Sequence, residues 1–135
     1  MNDHRYTDPP RRSILFMPGD SLRKISKAAH MEVDSIVMDM EDGVALNRKE
    51  EARRTIREAL RTLDFGGSEC LVRLNPIGSG HFTADLEATA AACPDGYVLP
   101  KVETADQVTT ACHALTAMEE TQGRPPYTLK LLAII

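Results

Sequence analysis

The sequence predicts an α/β fold, a (β/α)8 TIM barrel of which only about the first half, the first five strands, lies within the 135 residues. Five short apolar segments alternate with amphipathic helical patterns along the chain. Continuous apolar strands between amphipathic helices are typical of a parallel sheet covered by helices. The fifth segment has no helix after it, which would leave one face of a doubly wound sheet uncovered. We therefore favour a half barrel over a complete five-stranded doubly wound domain.

The predicted strands are short apolar runs that end at proline, glycine or polar residues. They span Ser13–Met17, Ser35–Met40, Cys70–Leu74, Tyr97–Leu99 and Leu129–Ile135. Pro18-Gly19 ends the first strand, and Asn75-Pro76 ends the third. Because the runs lack the polar alternation of a half-exposed sheet, we expect the strands to be buried.

Four helices are predicted from apolar residues that recur three or four positions apart. The first follows Asp20, the second and third cover about residues 48–63 and 83–92, and the fourth starts at Thr104. Asp20 is the predicted N-cap of the first helix, and Asn47 with Glu50 is the predicted capping pair of the second. Thr104 and Gln107 form a predicted capping box. The apolar face of this fourth helix consists of Val108, Ala111, Cys112, Leu115 and Met118.

Composition and charge exclude several classes of protein. Hydrophobic residues make up 42% of the chain and charged residues 27%, which is a globular composition. No apolar run is long enough for a membrane span, and a net charge of −4 argues against a general nucleic-acid binder. The three cysteines form no CxxC pair, so we expect reduced thiols and a cytoplasmic protein. Residues 1–12, which include Pro9-Pro10, are predicted to be a flexible leader before the half barrel of residues 13–135.

Polar residues cluster where the predicted strands end, at the edge of the sheet where ligands bind in both architectures. The four segments at that edge are Met17–Asp20, Asp39–Gly43, Arg73–Pro76 and Pro100–Glu103. Carboxylates, an arginine and a lysine directly after buried strands are costly to bury without partners. We therefore expect a site for an anionic ligand here, with a hard divalent cation as a candidate companion.

Asp39, Glu41 and Asp42 form the acidic part of this edge. Their oxygens suit Mg²⁺, which takes one or two carboxylates and keeps several waters. The same residues could instead orient waters or a basic side chain around a metal. A third interpretation is structural, because acidic residues complement the positive end of a following helix and Asp42-Gly43 suits an exposed turn.

Arg73 and Lys101 are the basic candidates at the same edge. The planar guanidinium of Arg73 suits a carboxylate or a thioester-linked acid. Its structural alternative is an ion pair with Asp39 or Glu41 across the sheet. Both interpretations can hold together, since an arginine held by carboxylates is also preorganised for a ligand. Lys101 either binds the ligand or forms an exposed loop pair with Glu103.

Five segments in the same order along the chain resemble the citrate lyase beta subunit and its relatives in the HpcH/HpaI aldolase superfamily, including malyl-CoA and citramalyl-CoA lyases. These segments are Ile14–Asp20, Ile36–Ala45, Lys49 with Ala52-Arg53, Val72–Pro76 and Leu99–Glu103. Together they extend over nearly all of residues 13–135. The resemblance implies a (β/α)8 barrel that assembles as a homo-oligomer, either a trimer or a hexamer.

The resemblance also implies an activity. It is the Mg²⁺-dependent retro-aldol cleavage of a 3-hydroxyacyl thioester of the citryl, malyl or citramalyl type, carried by coenzyme A or an acyl carrier protein. By their positions in the motifs, Arg73, Glu41 and Asp42 are the implied catalytic residues. The implied substrate-binding residues are Arg73, Asp39, Lys101, Pro18 and Gly19.

No metal ligand is implied within the chain. The resemblance places one metal-binding glutamate directly after the fifth strand and an aspartate further on, both beyond Ile135. We therefore expect the 135 residues alone to be inactive. Two alternatives stay open: a non-catalytic five-stranded module of the receiver-like or ligand-binding kind, and a half barrel that closes by pairing with a second copy.

Overall fold

The computed structural model describes residues 9–135, which form one parallel sheet with helices packed against it. The strands are β1 (Ile14–Pro18), β2 (Ser35–Asp39), β3 (Glu69–Arg73), β4 (Gly96–Leu99) and β5 (Lys130–Ala133). Every neighbouring pair is parallel, and the order across the sheet is β1-β2-β3-β4-β5. A doubly wound sheet reverses its strand order at a switch point, whereas barrel strands follow the order of the chain. The sequential order confirms the prediction of an α/β barrel segment.

Four α-helices and two short 3-10 turns connect the strands in this part of the chain. They are α1 (Leu22–Ala29), α2 (Lys49–Thr62), α3 (Phe82–Thr89) and α4 (Ala105–Thr121), with 3-10 turns at Leu46–Arg48 and Ala90–Ala92. One α-helix lies between each pair of consecutive strands, which confirms the predicted alternation. Within residues 9–135, no helix combines the length and the apolar character that a membrane crossing requires.

The two faces of the sheet differ because side chains alternate along each strand. On one face, strand residues and helix residues form the main core. It includes Ile36, Met38, Val72, Tyr97 and Leu99 from the strands and Ile25, Ile56, Ala111 and Leu115 from the helices. On the other face, Val37, Leu71 and Val98 form a smaller cluster of strand residues. Helices on one face and strand residues alone on the other are typical of a barrel wall, so the second face is the interior face.

The start of α1 differs from the sequence prediction. Its N-cap is Ser21, whose Oγ accepts a hydrogen bond from the backbone N–H of Lys24 at 3.3 Å. Asp20, the predicted cap, instead forms an ion pair with Arg48 at 2.5 Å. The prediction was wrong because the guanidinium in the facing loop binds the aspartate, and the serine one residue later is equally suited to cap the helix.

The start of α2 differs as well. Asn47 and Glu50 were predicted to form a capping pair, but a 3-10 turn leads directly into α2 and no side chain caps the first N–H groups. Glu50 and Glu51 lie in the first turn, where their charge complements the positive end of the helix. The acidic residue identified in the sequence therefore acts through its charge and not through a capping bond.

The fourth helix follows its prediction closely. Thr104 and Gln107 form the capping box, with Thr104 Oγ1 accepting from the N–H of Gln107 and Gln107 Oε1 accepting from the N–H of Thr104. Ala111 and Leu115 are buried as expected. Cys112 is exposed, so its assignment to the apolar face was wrong. Val108 and Met118 are partly buried and pack against the same core, so the rest of the predicted apolar face is confirmed.

The predicted leader of residues 1–12 lies mostly outside the described residues. At its end, Arg12 pairs with Asp34, and Arg11 makes two hydrogen bonds to Glu69 at 2.7 and 2.8 Å. Asp34 also accepts from the backbone N–H groups of Arg12 and Ser13, at 2.8 and 3.1 Å. These charge-assisted bonds fix the start of β1 to the amino ends of β2 and β3.

Candidate functional site

The register of the sheet brings the predicted site residues together at its carboxyl edge. Pro18 of β1 is the partner of Asp39 in β2, and Asp39 is the partner of Arg73 in β3. Paired residues of parallel strands point to the same face. Asp39 and Arg73 therefore project from the face that also carries Val37 and Leu71, which is the interior face.

Arg73 and Asp39 form a planar ion pair with two hydrogen bonds. Arg73 donates from Nε to Oδ1 at 2.7 Å and from Nη2 to Oδ2 at 2.6 Å. The ring of Phe16 lies 5.1 Å from the guanidinium carbon, and the hydrogen-bonded carboxylate of Asp39 raises the pKa of Arg73. Nη1 lies 3.6 Å from Glu41 Oε1, beyond hydrogen-bond length. Nη1 thus has an ion-pair contact with Glu41 but no hydrogen bond to a described residue, so its N–H groups can still donate to a ligand carboxylate.

Asp39 is only 3% exposed and accepts hydrogen bonds from two directions. Besides the bonds from Arg73, the backbone N–H of Glu41 donates to Oδ1 and that of Gly43 donates to Oδ2, both at 2.8 Å. Burial raises the pKa of Asp39, but the bonds from Arg73 and from these two amides outweigh burial and hold that pKa below its usual range. Together these bonds use the acceptor capacity of the carboxylate, so Asp39 orients Arg73 and the loop that follows β2.

Glu41, Asp42 and Lys101 form a second ionic group beside Arg73. Lys101 Nζ lies 2.8 Å from Glu41 Oε2 and 3.2 Å from Asp42 Oδ1. Lys101 follows β4 with a φ of 53°, a left-handed backbone conformation that is uncommon for residues other than glycine. It reaches across the carboxyl edge to the acidic residues, and not to Glu103, whose pairing with it was the structural alternative.

These three groups differ in exposure and in protonation. Glu41 is 4% exposed, and burial together with the neighbouring Asp42 raises its pKa. The side chain of Asp42 is 71% exposed, and its hydrogen bonds with Glu41 and Lys101 lower its pKa. The hydrogen bond to Glu41 raises the pKa of Lys101. Glu41 is thus the carboxyl group that more readily holds a proton, a property that suits proton exchange with a ligand.

Pro18 is the last residue of β1, Gly19 begins the turn after it, and both lie beside the end of β2. The N–H of Gly19 donates to the carbonyl oxygen of Asp39 at 2.8 Å. A Cβ at Gly19 would collide with that carbonyl and with Ile56 of α2. Glycine is required here because the two backbones approach so closely. The turn borders the site, and its role in substrate binding stays a prediction.

Two residues at the site were missing from the predicted set. Lys49, the first residue of α2, donates from Nζ to the carbonyl oxygens of Met40 and Glu41, and Phe16 supports the guanidinium of Arg73. A lysine in the first turn of a helix is disfavoured by the helix dipole, and that position was the available signal for Lys49. Phe16 gave none, because a phenylalanine in an apolar strand has an ordinary packing explanation.

A buried network fixes the loop that follows Arg73. Asp85 of α3 is fully buried and accepts hydrogen bonds from Arg53 Nε and from the backbone and side-chain N–H groups of Asn75, each at 2.8 Å. Arg53 Nη2 also lies 3.0 Å from His81 Nδ1. Charge-assisted bonds of this kind hold the loop against α2 and α3, and so support Arg73 from two residues away.

Metal binding needs more than the residues described. Within residues 9–135, no group of three His, Cys, Asp or Glu side chains is placed to hold a metal ion. The carboxylates of Glu41 and Asp42 are bonded to Lys101, and that of Asp39 is saturated by Arg73 and the backbone.

Comparison with known proteins gives this site a family context. The family model for HpcH/HpaI aldolase/citrate lyase matches residues 12–135. The mitochondrial citramalyl-CoA lyase of Rattus norvegicus is 42% identical over 110 residues, which cover 80% of this chain and 32% of that protein. The citrate lyase subunit beta of Leuconostoc mesenteroides subsp. cremoris is 37% identical over 135 residues, which cover 100% of this chain and 43% of that protein.

A solved structure gives the same result at the level of the fold. Protein CitE from Mycobacterium tuberculosis, in complex with magnesium, acetoacetate and coenzyme A, matches with a TM-score of 0.68 and 30% sequence identity. The match covers 90% of this chain and 38% of that one. The chain therefore spans less than half the length of each of these three proteins.

Proposed function

The chain belongs to the HpcH/HpaI aldolase/citrate lyase family, and on that premise we propose that it carries the substrate-carboxylate site of a Mg²⁺-dependent carbon–carbon lyase. Residues 13–135 are the first half of its (β/α)8 barrel. The substrate is a 3-hydroxyacyl thioester of the citryl, malyl or citramalyl type. The observation that carries the proposal is the guanidinium of Arg73, which Asp39 holds on one side while its Nη1 side makes no hydrogen bond to a described residue.

Arg73 binds the carboxylate of the substrate in this proposal. Asp39 and the ring of Phe16 fix the guanidinium before any ligand arrives, so little conformational freedom is lost on binding. Lys101 supplies a second positive charge at the same edge, and the main chain of Pro18 and Gly19 borders the ligand. Arginine suits this position because its planar guanidinium donates hydrogen bonds that hold a carboxylate in one defined orientation.

Glu41 and Asp42 serve the proton transfer that the cleavage requires. The bond that breaks joins the hydroxyl-bearing carbon to the carbon next to the thioester. The hydroxyl proton passes to a base, an oxo acid forms, and the electron pair of the broken bond becomes the enolate of the thioester, which is then protonated. Glu41 is the base in this proposal, because its raised pKa makes it a better proton acceptor than an ordinary carboxylate. Asp42 acts with it, since both contact Lys101.

Mg²⁺ is the proposed cofactor, and its ligands are a glutamate and an aspartate outside the described residues. When bound, the ion stabilises the negative charge that develops on oxygen during cleavage. Magnesium in the M. tuberculosis relative supports this assignment. Because Glu41, Asp42 and Asp39 are already bonded within the chain, we expect the 135 residues by themselves to have negligible lyase activity.

The proposed partners and location follow from the same family. The acyl group is carried by coenzyme A or by an acyl carrier protein, and coenzyme A in the M. tuberculosis relative supports the former. We propose a homo-oligomer, a trimer or a hexamer, on the strength of the family resemblance. The free thiols of Cys70, Cys93 and Cys112 support a reducing, cytoplasmic location.

Replacement of Arg73 tests the carboxylate role. In the complete gene product, Arg73→Lys should raise KM for malyl-CoA or citramalyl-CoA roughly 10- to 100-fold, because lysine cannot keep two bonds to Asp39 and also present a fork to the substrate. Arg61→Lys, at an exposed position of α2, is the matched control and should leave KM unchanged. An unchanged KM in Arg73→Lys would contradict the carboxylate role of Arg73, whereas no turnover by the unaltered gene product would favour the non-catalytic binding module.

A further inference from the structure

Lys49 occupies an unusual place for a lysine. It is the first residue of α2, and its side chain is buried, with the residue only 9% exposed. Lysines are rarely buried without a partner, and the positive end of a helix disfavours a cation in its first turn. Burial of the charge and its position at the positive end of α2 are both unfavourable, so the contacts of Lys49 must compensate for them.

Those contacts are made to the backbone beneath the candidate site. Lys49 Nζ donates to the carbonyl oxygen of Met40 at 2.7 Å and to that of Glu41 at 2.6 Å. The carbonyl of Glu41 also accepts from the N–H of Val44 at 3.1 Å. A charged donor makes stronger hydrogen bonds to carbonyls than a neutral donor does. The ammonium group therefore holds the segment Met40–Gly43, here named the acidic loop, to the start of α2.

Asp39 holds the same loop from the opposite side. Its carboxylate accepts the N–H groups of Glu41 and Gly43, while Lys49 donates to the carbonyls of Met40 and Glu41. The acidic loop is thus restrained through its amides by an anion and through its carbonyls by a cation. Neither restraint uses the side chains of the loop, which stay directed toward Lys101 and Arg73.

We propose that Lys49 is a positioning residue that fixes the carboxylates of Glu41 and Asp42 by clamping the backbone of the acidic loop. Its effect on turnover rests on the proposed lyase function, whereas its effect on the loop does not. Loss of the ammonium group removes the bonds from Lys49 to both carbonyls and leaves the Arg73–Asp39 pair in place. The acidic loop then samples other conformations, whereas Arg73 can still bind the substrate carboxylate.

The test compares three variants of the complete gene product. Lys49→Met keeps the length of the side chain and removes the donors, Lys49→Arg keeps a charged donor, and Lys24→Met removes an exposed lysine of α1 as the control. Amide hydrogen exchange is measured residue by residue, and kcat and KM are measured on malyl-CoA or citramalyl-CoA. If Lys49→Met does not fold, Lys49→Gln replaces it, since the glutamine amide is neutral and shorter.

In Lys49→Met, exchange at the amides of Glu41, Gly43 and Val44 should rise at least about tenfold, while exchange at Val37 in the sheet stays unchanged. The value of kcat should fall roughly tenfold with KM within about twofold, and Lys49→Arg should recover most of both losses. Unchanged exchange in the acidic loop would overturn the proposal, and so would an equal rise throughout the protein. If no variant cleaves the thioester, the lyase function fails, and the exchange measurement alone still decides the role of Lys49.

Discussion

At the scale of single residues, the carboxylate of Asp39 organises the site. It binds Arg73 through both oxygens and accepts hydrogen bonds from the backbone N–H groups of Glu41 and Gly43. The sequence placed Asp39 and Arg73 at the ends of neighbouring strands, and their ion pair was one of two interpretations offered for Arg73. Only the register of the strands and the hydrogen bonds show that Asp39 binds Nε and Nη2 and leaves Nη1 without a hydrogen bond to a described residue.

The hydrogen-bond partners of Lys101 and Lys49 could not be predicted from the sequence. The left-handed backbone of Lys101, which lets it reach Glu41, has no signature in the residues around it. Lys49 was noticed as part of a motif, but its bonds to the carbonyls of Met40 and Glu41 depend on where α2 begins relative to β2. Long flexible side chains find partners in tertiary structure, and local patterns do not encode those partners.

Gly43 gives a direct prediction about the hydrogen bond that Asp39 accepts from its backbone N–H. A Cβ at Gly43 would lie 2.5 Å from Asp39 Oδ2, so the carboxylate would have to move away from the N–H that it accepts. Gly43→Ala should lower the free energy of unfolding by about 1–3 kcal/mol, as overpacking against a buried side chain such as that of Asp39 does. Gly67→Ala is the control, because nothing lies within 4 Å of its added Cβ. Urea unfolding measures both, and equal stability of the two variants would contradict the close contact.

At the scale of helices and strands, the sequence predicted every element and missed details at their ends. Apolar runs located the strands, and β2, β3 and β4 are buried as expected. The expectation of burial was wrong for β1 and β5, which are partly exposed because each is an edge strand of the described sheet. The Thr104–Gln107 capping box was recognised because its two bonds join residues close in sequence. The cap at Asp20 was misassigned because a distant residue, Arg48, competes for its carboxylate. Local patterns predict local bonds, and a partner from another element overrides them.

Asp34 gives a prediction about the start of β1. The hydrogen bonds from Arg12 hold the pKa of Asp34 at about 2, against an ordinary value of 3.8. Because the folded state depresses this pKa, the stabilisation is complete above the ordinary value and is lost as the pH falls toward 2. Asp34→Asn should therefore be less stable than the wild type near neutral pH, and the two should converge in acid.

Thermal unfolding at a series of pH values checks this prediction. Glu87→Gln, which removes an exposed carboxylate of α3, is the matched control and should follow the wild-type profile throughout. A constant difference between Asp34→Asn and the wild type, extending to the lowest pH, would mean that the Arg12–Asp34 pair does not titrate in this way.

At the scale of the whole molecule, the strand order decides the architecture. Five parallel strands in chain order, with helices on one face, form a barrel wall. The interior face of β1 carries Ile14 and Phe16, each 43% exposed in the described structure. In a closed barrel, side chains of this face pack in layers against the opposite strands. The composition and spacing of the sequence predicted this class.

The proposed cleavage of a carbon–carbon bond, with the departing acid bound at Arg73, can be tested on the products of the reaction. The most direct measurement follows the products formed from malyl-CoA and citramalyl-CoA by the complete gene product, with Mg²⁺ and after its removal by a chelator. Chromatography separates the shortened acyl-CoA and the free oxo acid from free coenzyme A and the intact hydroxy acid.

A lyase should form the shortened acyl-CoA and the oxo acid in equal amounts with Mg²⁺ present, and the chelator should abolish this reaction. Release of free coenzyme A with the hydroxy acid intact would show hydrolysis of the thioester and contradict carbon–carbon cleavage. No consumption of either thioester, or cleavage that continues at full rate without the metal, would also contradict Mg²⁺-dependent carbon–carbon cleavage.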